Sequence, residues 1–324
     1  MTKHRALPGV RRLKGFSLIE LMIAMAIGLI IIGAAISAYL GASTASQLAD
    51  AQGRMNEDAQ AALSILTQQV QMAGNNPVQV DRSDTSRQNP VYGEATYPTG
   101  SYVPSHFFVR GCDGPFSNVT TAADIDSLQC TTGTSGTSDS IAINYEADRF
   151  NTVATRIGSL PTDCMGFELA QVTATFPTET PYSYYVADNR FYIATSASQP
   201  SPSLYCKGNG IDSTARSLVE NIENMQITYG AVNDSTEIET ATVAGYLSAT
   251  ELANLSLVLN DPAPWKKAIS VRICVLVRSA AAVVMNTDSA KYYNCATPSV
   301  LVSAPDLRLR RAYSTTVVLR NRRL

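Results

Sequence analysis

At 324 residues, 45% hydrophobic and 16% charged, the chain carries enough apolar content to bury a sizeable core, which excludes wholesale disorder. Its formal charge is −2, yet the first 15 residues hold five basic groups (Lys3, Arg5, Arg11, Arg12, Lys14) and no acid. The remaining 20 basic and 27 acidic residues put the body of the chain at −7, a balance that argues against nucleic acid as its main partner.

In chain order, the first strong feature is the uncharged run from Leu21 to Leu40. It matches the roughly 20 residues a helix needs to cross a bilayer core. An ordinary secretory signal fits less well, because its apolar core runs about 7–15 residues and Glu20 interrupts the apolar stretch that begins at Phe16. A lipoprotein signal is excluded by the first cysteine lying as far along as Cys112. The five basic groups predict a cytoplasmic leader and an external chain beyond about residue 41, by the positive-inside rule.

Glu20 requires its own explanation, since an acid at the edge of a membrane helix costs up to about 3 kcal/mol unless it is paired or reaches the interface. The stretch Lys14-Gly15-Phe16-Ser17-Leu18-Ile19-Glu20-Leu21 closely resembles the prepilin processing motif of type IV pilins and type II secretion pseudopilins. The resemblance implies that a membrane aspartyl protease, the prepilin peptidase, cuts after Gly15 and methylates the new amine of Phe16. Glu20 then becomes the fifth mature residue. Its carboxylate in an incoming subunit would pair with the Phe16 amine of a subunit already in the filament. Such a pair sets axial register more than it supplies net stability, because desolvation opposes the attraction.

Beyond the membrane run, Leu48, Met55, Ala59, Ala62, Leu63, Leu66 and Val70 form one apolar stripe at helical spacing, and Gly74-Asn75-Asn76-Pro77 reads as a stop. The helix from Phe16 to Ala73 would reach ~85 Å. Residues 77 to about 138 are rich in turn formers around short strands such as Phe107-Phe108-Val109. The signal then becomes β: Ile141–Tyr145, a hairpin of Tyr184–Val186 and Arg190–Ile193 about a turn at Ala187-Asp188-Asn189, a turn and strand over Leu218–Gly230, and strands at Ile269–Arg278 and Thr315–Arg320. Their alternation predicts one face laid on the helix. The expected fold is α+β and type IV pilin-like: a long N-terminal helix, transmembrane then amphipathic, packed on a large β-rich head. The boundaries are a cleaved leader at 1–15, a transmembrane and assembly helix at 16–40, an amphipathic stalk helix and its end at 41–76, and the head at 77–324.

The segments LVENIENMQITYG, WKKAISVRICVLVRS (Trp265–Ser279) and RRAYSTTVVLRNR (Arg310–Arg322), with a head well above ordinary pilin size, resemble the PilW family of minor pilins. That likeness implies a minor pilin of type IV pilus biogenesis that primes assembly with other minor pilins, meets the major pilin, and stays at the pilus tip beneath a PilY-type adhesin. It implies an inner-membrane protein with a periplasmic head that moves to the pilus surface on assembly. A minor pseudopilin of a type II secretion system and a tip module for adhesion or DNA binding are the alternatives.

Six cysteines (Cys112, Cys130, Cys164, Cys206, Cys274, Cys295) all fall on the side expected to be external, where disulfides form. They allow fifteen connectivities. The sequential one, 112 with 130, 164 with 206 and 274 with 295, is the expectation. No paired metal spacing and no catalytic motif occurs, so the chain is expected to be no enzyme and to take no cofactor or metal. After cleavage His106 is the sole histidine, expected in a surface loop, and Asp124-Ile125-Asp126 lacks the rest of a calcium loop. Arg308, Arg310, Arg311, Arg320, Arg322 and Arg323 form the one basic concentration, read as the polar face of edge strands rather than a DNA site because no stacked aromatic series accompanies it.

Overall fold

The structure, a computed structural model, describes residues 15–76, 91, 106–131, 137–156, 158–174, 182–232, 242–256 and 262–321. The basic groups at 3–14, most of the loop-rich stretch 77–105, and Arg322 and Arg323 lie outside them. Helix α1 spans Leu18–Met72. Its sequence contains no proline, and it starts on a reciprocal cap: Ser17 Oγ accepts from Glu20 N–H at 3.3 Å, and Glu20 Oε2 accepts from Ser17 N–H at 2.9 Å. It ends at Gly74, whose φ of +70° suits a residue without Cβ and whose N–H donates to Asn144 O at 2.9 Å.

The chain divides into two compact units, residues up to Asp50 and those from Ala51 onward. In the first, the large apolar side chains from Phe16 to Leu40 are exposed, Phe16 by 87%. In the second, Met55, Ala59, Ala62, Leu66 and Val70 are buried at i, i+4, i+7, i+11 and i+15, one stripe of the helix. Leu63 of the predicted stripe is half-buried at its margin.

The remainder is antiparallel β. Strands β1 (Val109–Cys112), β2 (Ser140–Ala147), β3 (Gln171–Ala174), β4 (Tyr182–Ala194), β5 (Ser203–Lys207) and β6 (Arg216–Glu220) form one sheet in the order β1-β2-β4-β5-β6, with β3 also on β4. A second sheet is built from β7 (Ile222–Ala231), β8 (Gly245–Leu247), β9 (Ala268–Arg278) and, beyond the two-residue strands β10 (Tyr292–Tyr293) and β11 (Leu301–Val302), from β12 (Arg310–Val318). Its order is β12-β9-β7-β8. Short helices α2 (Ala249–Ala253) and α3 (Ala263–Lys266) close one end of its core. The fold is therefore a long N-terminal helix followed by a β-rich region.

Asn221 carries the chain from one sheet to the other at φ +63°, a conformation asparagine tolerates, and its Nδ2 donates to Asp58 Oδ2 of α1 at 3.3 Å. The hairpin expected around Ala187-Asp188-Asn189 is corrected: β4 runs straight through it. Turn-forming side chains sit mid-strand because each is satisfied there. Asp188 is paired by Arg190, two residues on along the same face, with Nη2–Oδ2 at 2.8 Å and Nε–Oδ1 at 3.1 Å. Asn189 donates to Gln69 Oε1 at 2.8 Å and accepts from Cys164 N–H at 3.0 Å.

Asp139 joins the two sheets. Its N–H donates to Met225 O and its Oδ2 accepts from Ile227 N–H, both at 2.7 Å. Burial pushes its carboxyl up to about 7. The folded state thus favours the protonated acid, and this contribution is complete below the ordinary value near 3.8 and is lost as pH rises through about 7. Asp139→Asn, which keeps an acceptor for Ile227, is expected to raise stability at pH 8 by about 2 kcal/mol relative to pH 5. Denaturant midpoints followed by the fluorescence of buried Trp265, the one tryptophan, check this; equal pH slopes in both proteins would refute it.

Candidate processing and assembly segment

Gly15, Phe16, Ser17 and Glu20 lie together at the start of α1. A Cβ built on Gly15 meets nothing within 4 Å, as is also true of Gly28, Gly33 and Gly41. Among the described residues nothing crowds Gly15, and the helix glycines offer flat points for close approach by another helix. An 18-residue window of α1 has mean hydropathy 2.5 and none of it is buried, so the helix is long and apolar enough to cross a membrane. Water is a poor solvent for such a surface; lipid or the same face of other helices can cover it.

Glu20 caps the helix that it begins. Its carboxylate is the N3 half of the cap on α1, satisfying a backbone N–H that the first turn leaves orphaned. The Ser-x-x-Glu spacing ahead of an apolar run carries this role in the sequence, and a reading centred on cleavage and pairing passes over it.

The head is held by three disulfides, Cys112–Cys130, Cys164–Cys206 and Cys274–Cys295, leaving no free cysteine among the described residues. The first closes the loop around Asp124-Ile125-Asp126. Within it, Asp126 accepts from His106 N–H and lies 2.8 Å from His106 Nδ1, while Asp124 Oδ1 accepts from Ser127 N–H at 2.8 Å. Both acids are engaged in loop structure, and the His106 side chain is 55% exposed. Among the described residues no group of three or more His, Cys, Asp or Glu could hold a metal ion.

The basic concentration near the C-terminus is partly spent inside the protein. The Arg310 side chain is 1% exposed and forks between Glu223 (Nε–Oε2 2.6 Å, Nη2–Oε1 3.0 Å) and Asp306 (Nη1–Oδ1 2.6 Å, Nη2–Oδ2 3.2 Å). That guanidinium holds the Asp306 carboxyl down to about 2. Arg308 donates to the carbonyls of Ser279 and Ala280. These contacts weaken the chain's claim on a phosphate backbone, which needs free cations.

An apolar, capped N-terminal helix followed by antiparallel sheets defines the class of type IV pilin-like proteins. Residues 10–36 match the prokaryotic N-terminal methylation motif, and residues 190–321 match the family described as Type IV Pilus-assembly protein W. The two matches together support a type IV pilin role, and residues 190–321 are similar to the PilW family. No curated protein sequence matches it. A type IV-like pilin from Thermus thermophilus is similar over 58% of this chain and 81% of its own, at 14% identity and a TM-score of 0.25, values at which no residue correspondence can be drawn.

Proposed function

We propose that the chain is a minor pilin, cut by prepilin peptidase after Gly15, methylated at Phe16, and assembled with other minor pilins into a complex that primes a type IV pilus and stays at its tip. The observation that carries this reading is the exposed apolar stretch of α1 from Phe16 to Leu40, which begins at a motif resembling the prepilin processing site, with Glu20 as the lone acid in the first turn of the helix. Until assembly the helix anchors the protein in the inner membrane, with the leader cytoplasmic and the head periplasmic, a compartment suited to its disulfides.

In this reading Glu20 has two successive partners. In the unassembled chain it accepts from Ser17 N–H. On assembly it takes the methylated Phe16 amine of a neighbour, a charge-assisted and stronger bond. The size of the head favours the tip, where fewer neighbours surround each subunit than in the shaft.

The test is intact mass and N-terminal sequence of the membrane-expressed protein with and without prepilin peptidase, beside Glu20→Ala scored for piliation. A mature chain starting at methylated Phe16, with pili reduced at least tenfold in the variant, is the expected result. An uncut chain, or a cut beyond Leu40, would reduce the segment to a plain anchor or secretory signal.

A further inference from the structure

The strand β12 ends the second sheet, and its hydrogen-bond register tells which of its backbone groups are free. Leu319 N–H donates to Ile269 O and Ser279 N–H donates to Leu309 O, both at 2.9 Å. The β12–β9 register continues between these two pairs without a shift. Hydrogen-bonded pairs recur every second residue, so Arg311, Tyr313, Thr315 and Val317 direct their N–H and C=O groups at β9. Ala312, Ser314, Thr316 and Val318 direct theirs away, and among the described residues no hydrogen bond reaches those groups.

This edge is unguarded. Natural edge strands carry charges, prolines or bulges that stop pairing with another chain. From Ala312 to Leu319 there is neither charge nor proline, and Thr315-Thr316-Val317-Val318 are β-branched in succession. The register with β9 has no bulge.

Beside the edge runs a groove of about 450 Å³, lined on α1 by Gln60, Leu63, Ser64 and Thr67 and on β12 by Ser314 and Thr315. Tyr313 Oη bonds Asn56 Oδ1 at one end, and Asn321 Nδ2 donates to Gln71 O at 2.8 Å at the other. Residues 60–72 of α1 carry no charge either. Both walls are neutral, rich in hydroxyls and amides, and several residues long.

We propose that the outer edge of β12 is a docking site for an uncharged extended strand donated by the head of a different pilin subunit, seated in the groove between α1 and β12. The inference rests on the assembly role proposed above. Another strand can take all eight outward backbone groups in one ladder in exchange for water, which gives affinity, while the Ser, Thr and Gln side chains of the groove select a neutral sequence. A second copy of this chain fits less well. The helix from Asn56 to Gln71 runs in the same direction as the strand from Tyr313 to Asn321. Two-fold pairing of two β12 edges would therefore place residue 51 of each copy at opposite ends of the pair, whereas subunits anchored in one membrane enter it from the same side.

The register supplies a selective test. Thr316→Pro removes an outward N–H and leaves the β9 ladder intact, a position where an edge strand accepts proline. Ser314→Lys adds the charge that natural edges use, at an exposed side chain. The full processed chain, co-expressed in membranes pairwise with each other pilin of its own cell and purified in detergent, is to be followed by amide hydrogen exchange. The expected result is a heteromeric complex in which exchange at Ala312, Ser314, Thr316 and Val318 slows at least tenfold, while the amides bonded to β9 are unchanged. Both variants should lose that complex at least tenfold in affinity with their thermal midpoints within a few degrees of the parent. A complex that forms without edge protection and survives both substitutions overturns the site and leaves the assembly role standing. Edge protection that appears only in a homodimer overturns the choice of partner. Binding to no pilin at all overturns the docking site together with the assembly role.

Discussion

Arg190→Met is expected to destabilise the head by about 3–5 kcal/mol, the cost typical of removing one partner from a buried ion pair. Both side chains of the Asp188–Arg190 pair are nearly inaccessible, at 6% and 4% exposure. Arg190 Nη1 also donates to the carbonyls of Val119 at 2.8 Å and Ala122 at 3.0 Å, so the change orphans a carboxylate and two carbonyls together. Burial already raises the Asp188 carboxyl above its ordinary value despite the guanidinium beside it. Without Arg190 the acid is expected to be buried protonated, and the defect to be smaller in acid than at neutral pH. Adding Asp188→Asn should recover at least about 1 kcal/mol, because the uncompensated charge is gone. Denaturant unfolding of the full chain in detergent, read by Trp265 fluorescence, measures all three. A loss below about 1 kcal/mol in the single variant would mean that the pair is solvated and that the loop around Val119 is held by its disulfide alone.

Leu66→Ala should cost about 2–5 kcal/mol, the range for emptying a fully buried leucine site. Leu66 is 0% exposed at the middle of the stripe that α1 lays on the sheets. Most of the stability of a helix in a protein comes from tertiary packing of its apolar face, so the outer half of α1 depends on that stripe. The expected readouts are a lowered denaturant midpoint and faster hydrogen exchange across residues 55–72. Gln60→Ala, on the exposed flank, should stay within about 0.5 kcal/mol. Equal effects of the two changes would show that the stripe does not bear on the stability of the head.

Several features were open to reading from residues alone because they rest on local rules. The length of the apolar run, the N-terminal methylation motif, the stripe from Met55 to Val70, and the stop at Gly74 each depend on spacing within a few turns of chain. Strand β9 announces itself by alternation; the strand read at Thr315–Arg320 catches only the second half of β12, and the turn and strand read over Leu218–Gly230 are the end of β6 and most of β7, parted at Asn221. The turn assigned to Ala187-Asp188-Asn189 shows where such reading ends. Asp and Asn favour turns only while their side chains have no distant partner, and here Gln69, Tyr145, Cys164 and the Val119 loop supply satisfaction from far along the sequence.

By itself the sequence determined the long apolar helix and the methylation-motif match, since both are one-dimensional patterns, one set by the length of an uncharged run and the other by the order of consecutive residues. Tertiary structure alone decided which charges are usable. It buried Arg310 between Glu223 and Asp306, placed Asp139 at a sheet junction where burial raises its carboxyl to about 7, and left the outward amides of β12 without partners among the described residues. The physical reason is that desolvation and hydrogen-bond satisfaction depend on groups dozens to hundreds of residues apart, and no local spacing encodes them.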